Sequence, residues 1–498
     1  MSVINAAKEH RKSELEKARL TEWDYVVIGA GITGIQTFRI LSSEGFRVLL
    51  IDSADFTSAT SSNSGMLIWG GILYLKSLDF ISVFKFSKSR DHLIKTDPGN
   101  VKVLGVTYLS DRKKIRTRLV LLFYWLFSLF RRRRPYNISC AAEQGLYKKE
   151  YTSVNVFEEA LIHSSDSRYA IDMLMSSLNS CEQSRAFNYL SLVKGEYTGS
   201  GWVLSLENKI QNESFKIMTK NLINCTGVYV DEVNQYLGIN ASPYRHLWSK
   251  GMYFNLQRKN NHDNMIVFDD PVNEDVLTYC PFGDVSLFGP TEDNVDNDRS
   301  AGFKLTAEDI RKLKQKYENY TGEKLHRKHL ISYRVGVRPL CVPNGFSDAG
   351  YTLGISRNSK TYHLAEKNFS AVYGGKFTGS YELAVKTVKD FGITAKPDEE
   401  NIFPYWKNFE SRVNYIRPEM ALLAEQCWTL KDYLRHRTFI HQSVANGGFG
   451  LNFEFRQQIE TISGCFLDQL ASTDVSAKAY FEEQRAINDL FRAELDGD

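Results

Sequence analysis

The sequence predicts an α/β protein of two or three packed units, and three observations carry that prediction. Near the start of the chain a glycine-rich turn joins an apolar run to a helical pattern. With 498 residues, 43% of them hydrophobic, the chain is long enough for more than one core. Pro397 and the acidic stretch Asp398-Glu399-Glu400 mark a boundary, beyond which Asn401 to Asp498 have the periodicity of a mainly helical unit.

Composition narrows the function classes. A formal charge of +3 leaves no basic footprint for nucleic acid. The seven cysteines are Cys140, Cys181, Cys225, Cys280, Cys341, Cys427 and Cys465. They form no CxxC pair, so neither a zinc site nor a redox couple is expected, and a reduced, cytoplasmic setting is. The first twenty residues, MSVINAAKEHRKSELEKARL, mix charges throughout and lack the apolar run of a signal peptide. They predict an exposed helix over residues 1–20.

From Asp24 the chain reads DYVVIGAGITGIQTFRILSSEGFRVLLIDSADF. A buried strand over Tyr25 to Ile28 meets Gly29-x-Gly31-x-x-Gly34, a helix runs through Leu41, and a second strand, Phe46 to Ile51, ends at Asp52. Gly29 permits the tight turn, Gly31 lets backbone approach a pyrophosphate, and Gly34 lets helix and strand pack closely. Ile32 and Thr33 open the helix, whose N-terminus offers N–H groups and partial positive charge to phosphates. Asp52, about twenty residues on, is placed to accept from ribose hydroxyls, with Ser53 beside it. A dinucleotide site follows; the pattern alone does not choose between NAD and FAD. The next segment, DFTSATSSNSGMLIWGGILYL, is rich in small residues, among them Thr60, Ser61, Ser62, Gly70 and Gly71, as suits backbone lying against a large flat ligand.

At this segment the sequence resembles the FAD-dependent glycerol-3-phosphate dehydrogenases and oxidases, within the D-amino-acid oxidase superfamily. The resemblance recurs in Ser165-Asp166-Ser167-Arg168, in Leu222-Ile223-Asn224-Cys225-Thr226-Gly227, in Ser249-Lys250-Gly251-Met252-Tyr253, and in LTYCPFGDVSLFGPTED. It continues through Tyr333-Arg334-Val335-Gly336-Val337-Arg338-Pro339-Leu340, Ser356-Arg357, Gly374-Gly375-Lys376-Phe377-Thr378 and AEQCWTLKDYLRHRT. It implies a Rossmann-like FAD-binding domain assembled from about residues 21–85, 150–240 and 330–395. The intervening segments form an antiparallel-sheet substrate domain, so 21–395 is the core and 396–498 the C-terminal helical domain. It also implies flavin contacts from Thr226, Gly227 and the run Gly374 to Thr378, with Gly374-Gly375 opening a helix over Tyr381 to Phe391. No histidine or cysteine stands at Trp69, so the FAD is expected to be noncovalent, and no metal is expected.

The departures concern the substrate. Where the family has a histidine before Gly-Gly and an arginine after it, this chain has Trp69 and Leu73. Where it has a further histidine, this chain has Tyr253. Its Thr-Thr-Tyr-Arg run becomes Thr378-Gly379-Ser380-Tyr381. Arg338, Arg357 and Lys376 remain, and arginines grip phosphate or carboxylate with two parallel bonds. The expectation is oxidation of a CH–OH group on a phosphorylated or otherwise anionic polyol derivative. Trp69 and Leu73 would favour a bulkier or less polar molecule than glycerol phosphate. Candidate proton acceptors are Tyr253, Tyr74 and Lys376. An amine or amino-acid oxidase, and a flavin-binding subunit without turnover, are the alternatives.

Leu119 to Phe130 is an apolar run of twelve residues followed by Arg131 to Arg134. About twenty are needed to span a bilayer, so it is no ordinary transmembrane helix. Either it is a core helix, or its aromatic face dips into lipid while the arginines meet phosphates. The family's dehydrogenases are peripheral membrane proteins that reduce quinone. A membrane contact on the inner face of the cell membrane would imply quinone as acceptor; without it, oxygen or a soluble carrier is expected. The C-terminal unit is a candidate oligomer contact.

Overall fold

The computed structural model describes residues 2–138 except 78, 149–346 except 260–262, 271–274 and 297, then 358–395, and 417–496 except 449, 451–452, 469 and 471–476. The Pro397 boundary lies outside the described residues.

Strand Glu22–Ile28 is the middle of an eight-stranded sheet. Parallel neighbours are Glu213–Asn224, with Phe369–Tyr373 beyond it, on one side, and Val48–Ile51 then Arg185–Phe187 on the other. Val26 faces Leu222 and Leu49 across the two ladders. Both faces are covered, which is why the strands read as continuous apolar runs; Val26, Val27, Leu50 and Leu222 are fully buried. Helix Ile32–Ser43 seals one face with Ile35, Phe38 and Leu41 and packs beside helices Asp166–Ser180 and Ser380–Lys389. On the other face Trp23 and Trp202 join a second core cluster. Lys360–Leu364 closes one edge antiparallel, and the hairpin Leu190–Tyr197/Trp202–Asn208 extends from Glu213–Asn224.

A second sheet has ten strands. Its longest pair, Tyr244–Gln257 with Leu330–Pro343, is antiparallel and puts Tyr253 opposite Arg334 and Ser249 opposite Arg338. The sheet is antiparallel apart from Met265–Asp270, which pairs parallel with Val101–Ser110. The C-terminal part is helical from Pro418–Glu425 to Lys478–Leu495.

Buried charges tie the helical unit to the nucleotide sheet. Arg437 gives parallel bonds of 2.8 and 2.9 Å to both oxygens of Asp55, and His436 Nδ1 lies 2.7 Å from the same carboxylate. Arg168 pairs with Asp172 and, bidentately at 2.9 Å, with Glu425. Burial alone would raise Asp55, but Arg437 and His436 hold it well below the usual carboxylate range. Asp432 completes a cluster with Asp55 and His436 whose spacing a metal could bridge, yet Asp55 already gives both oxygens to Arg437.

Three expectations are corrected. Helix Val3–Leu20 is not simply exposed: Ile4, Ala7, Arg11, Leu15 and Ala18 recur at helical spacing and are buried. Arg11 bonds the Asn188 carbonyl at 2.6 Å and Gln426 at 2.7 Å, joining sheet to helical unit. Apart from the buried Arg11, the charges that suggested full exposure lie off this buried stripe. Gly374-Gly375 does not open the following helix, which is Ser380–Lys389 with Gly379 at its N-cap. With φ of +69° and +120°, the two glycines make a left-handed turn that presents Lys376 instead.

The apolar run is no core helix. Within helix Lys114–Phe127 only Thr117, Leu121 and Tyr124 are buried, while Ile115 is 76% and Phe123 51% exposed. Among the described residues, no helix is long and apolar enough to cross a membrane.

Candidate functional site

A cavity of about 1610 Å³ opens between the two sheets, larger than the ~300–1,000 Å³ of an ordinary small-molecule pocket. Gly29, Gly31, Ile32, Thr33, Asp52, Ser53, Thr60, Ser61, Ser62, Gly71, Thr226, Gly227, and Gly374 through Thr378 all line it, as do Trp69, Tyr74, Tyr253 and Arg338. Gly34 and Gly70 lie behind the lining. Arg357 and the Leu73 side chain lie outside the described residues.

The nucleotide turn is built by steric exclusion. Gly29 sits at φ +97°, and a Cβ there would stand 2.7 Å from the Cys225 carbonyl; one at Gly34 would collide with the Gly29 carbonyl. Only glycine therefore lets helix Ile32–Ser43 start against the strand ends. The Ile32 amide donates to Ser61 Oγ at 2.9 Å, fixing the following loop to the helix N-terminus. Asp52 accepts from the amides of Ala30 at 2.7 Å and Ala54 at 3.0 Å, and burial pushes its carboxyl up to about 6. The bare backbone of this turn, the half-buried Asp52 and the hydroxyl-rich loop after it suit a dinucleotide.

That loop is anchored to the second sheet. Thr60 donates to the Val337 carbonyl at 2.6 Å. Arg334, fully buried, donates to the Ser62 carbonyl at 2.7 Å and to Asp166 at 2.5 Å, and Asp166 also accepts from the Ser64 amide and hydroxyl. Lys250 is likewise internal: its ammonium meets Asp309 at 2.6 Å and the Lys304 carbonyl.

The substrate side collects the remaining candidates. Lys376 Nζ donates to Tyr74 Oη and lies 4.1 Å from the Tyr74 ring centroid and 5.0 Å from that of Phe86. Tyr74 and Phe86 are stacked at 5.3 Å. The Arg338 guanidinium is held by long bonds of 3.4 Å to Ser249 Oγ and 3.4–3.5 Å to the Thr291 carbonyl. Gly251 makes room for it, since a Cβ there would collide with the guanidinium. The Tyr253 hydroxyl lies against Gly65, where a Cβ would come within 2.5 Å of it.

Sequence reasoning missed His246 and Phe86. His246 Nε2 accepts the Gly374 amide proton at 2.7 Å, and burial lowers its pKa to about 3, so the neutral ring anchors the turn that carries Lys376. No local signal marks it; it acts across 128 positions.

Comparison with known proteins agrees with this geometry. The family described as FAD dependent oxidoreductase matches residues 24–376. An aerobic glycerol-3-phosphate dehydrogenase of Staphylococcus epidermidis is 25% identical over 487 residues, covering 94% of this chain and 82% of its own. One from Staphylococcus aureus is 26% identical over 420 residues, 80% and 72% of the two chains. The FAD complex of glycerol-3-phosphate dehydrogenase from Bacillus halodurans superposes with a TM-score of 0.66 at 15% identity, covering 97% of each chain. Glycine oxidase from Geobacillus kaustophilus reaches 0.54 at 13%, covering 74% of this chain and 94% of its own. The chain belongs to the FAD dependent oxidoreductases, with FAD as its cofactor, and it is similar to glycerol-3-phosphate dehydrogenases.

Proposed function

We propose that this protein oxidises a secondary alcohol of a small anionic polyol derivative, glycerol-3-phosphate or a bulkier relative. The observation that carries the reading is the contact of Lys376 with Tyr74 on a cavity that also holds the loosely bonded Arg338. Gly29 to Thr33, Asp52, the 60–62 loop, Thr226-Gly227 and Gly374 to Thr378 would hold FAD, which when bound would supply hydride-accepting chemistry. Arg338 binds the anionic group. Removing one proton from the Tyr74–Lys376 pair leaves a phenolate beside an ammonium or a phenol beside an amine, and either takes the hydroxyl proton. Tyr253 and Trp69 wall the pocket, and Trp69 excludes water from the reacting carbon.

Anaerobic titration of the holoprotein tests this: glycerol-3-phosphate or a bulkier phosphorylated alcohol bleaches the flavin. Ammonia release from an amino acid would overturn the reading in favour of amine oxidation. Reduction by no donor would overturn it in favour of a non-catalytic flavin-binding subunit.

A second proposal concerns location. Phe80, Ile81 and Phe84 of helix Phe80–Thr96 are exposed beside Leu119, Val120, Phe123 and Leu126 of the 114–127 helix, and Phe80 stacks on Phe127 at 4.3 Å. Exposed Lys85, Lys88, Arg116 and Arg118 accompany this apolar face. An anionic bilayer suits both features. Of the arginine run, Arg132 instead turns back to Asp91 at 2.9 Å, and Arg133 and Arg134 remain exposed. Peripheral attachment at the inner face of the cell membrane favours quinone over oxygen as acceptor. The protein should co-sediment with phosphatidylglycerol vesicles and lose that property on Phe123→Ser with Leu126→Ser; equal sedimentation of both would remove the proposal.

A further inference from the structure

Behind the substrate wall lies a group of buried charges that the proposed chemistry does not use. Arg90 on the 80–96 helix, Tyr124 on the 114–127 helix and Glu159 on strand Ser153–Ile162 are all buried. Arg90 Nη1 donates to Glu159 Oε2 at 2.9 Å and lies 3.0 Å from Tyr124 Oη, which donates to Glu159 Oε1 at 2.5 Å. The group closes on one backbone unit: the Gly70 amide donates to Glu159 Oε2 at 2.8 Å. On the other side of the same residue, Ser87 Oγ donates to the Gly70 carbonyl at 2.9 Å.

Two physical points separate this from ordinary core packing. Desolvating an ion pair costs several kcal/mol per ion, and well-packed apolar side chains would hold the helices together as well. What apolar residues would not do is fix a peptide plane. The space is also fitted to Gly70 alone, because a Cβ there would collide with Tyr124 Oη and Arg90. Gly70 is flanked by Trp69 and Gly71, both on the cavity, and Gly71 leads into the turn Ile72–Ser77 that carries Tyr74.

We propose that Arg90, Tyr124 and Glu159 are positioning residues for the substrate wall. They hold the Gly70 peptide and thereby set Trp69 and Tyr74 against Lys376 and Arg338. This rests on the reading of that cavity as a substrate site. The group reaches the wall from behind and leaves the nucleotide turn alone, so disturbing it alters substrate binding more than flavin binding.

The test uses the holoprotein and the isosteric variant Tyr124→Phe, with Ser87→Ala as a second variant that leaves the charges in place. Two quantities are read: KM and kcat for glycerol-3-phosphate, and deuterium uptake of the peptide covering residues 66–73 in the resting state. For Tyr124→Phe, KM rises about tenfold, as loss of a hydrogen bond to a charged group implies, while kcat changes less than about threefold, FAD content is unchanged and uptake rises. Ser87→Ala moves both quantities in the same direction by less. Unchanged KM and uptake in both variants would overturn the proposal, as would loss of FAD from both, which would make the group a general core element. If glycerol-3-phosphate does not reduce the wild type but uptake still rises in the variants, the substrate reading fails and the positioning role stands.

Discussion

The nucleotide turn and the substrate wall border one cavity but are built in opposite ways. The turn from Gly29 to Gly34 is shaped by what is missing: side chains that would collide with backbone. The wall from Trp69 to Tyr74 is shaped by what has been added from elsewhere, with Glu159 and Ser87 on Gly70 and Lys376 on Tyr74. Backbone exclusion makes a site that tolerates little change and serves any ligand of the same outline. Remote side chains make a site that can be re-tuned without disturbing the first.

Four substitutions probe that contrast, from the largest effect to the smallest. Gly34→Ala drives a Cβ into the Gly29 carbonyl; the purified protein should be colourless, and a yellow variant with normal FAD content would break the exclusion argument. Lys376→Met should keep its FAD while kcat falls on the order of 10²–10⁴-fold, the usual contribution of a proton-transfer group. A fall in FAD content alongside kcat would instead assign Lys376 to cofactor retention.

The third concerns pH. His246 has a folded pKa of about 3 against an ordinary 6.5, so the unfolded chain binds more protons between these values. The stability it contributes is complete above pH 6.5 and declines as pH falls toward 3. His246→Gln, whose carbonyl can still accept from Gly374, should flatten the decline in melting temperature over that window; identical profiles would mean the histidine is already protonated or unimportant. The smallest effect is Ser61→Ala, which removes the acceptor for the Ile32 amide and should cost about 1 kcal/mol in a denaturant melt, as for a lost helix cap.

The same contrast explains what was legible in the sequence. The strand, glycine turn and helix could be read because their causes lie within a few residues: an apolar run, three glycines and a helical period. Trp69 and Tyr74 were found only because a family frame pointed to them. Their partners are invisible locally, since Lys376 meets Tyr74 across 302 positions and Glu159 meets Gly70 across 89. The N-terminal helix shows a different failure. Its buried stripe is made of Ala7 and Ala18 as well as Ile4 and Leu15, with the buried Arg11 among them, so its inward face carries too little hydrophobicity to stand out from the charges. Gly70 is read from sequence as a ligand contact because a glycine pair suits one; the crowd of polar atoms behind it is a further constraint that no local signal shows.

The order of strands also sets a schedule for biosynthesis. Glu22–Ile28 pairs with Glu213–Asn224, which in turn pairs with Phe369–Tyr373. Val48–Ile51 is made soon after Glu22–Ile28, but the outer partners of that pair, Glu213–Asn224 and Arg185–Phe187, leave the ribosome much later, so the pair presents apolar, unpaired edges of the kind that aggregate. Gly374 to Thr378, which line the cavity, are translated later still. A complete cofactor cavity consequently exists only once more than two-thirds of the chain has been made. A polypeptide truncated before Phe369 should accumulate as a colourless chaperone client, however much FAD the cell contains.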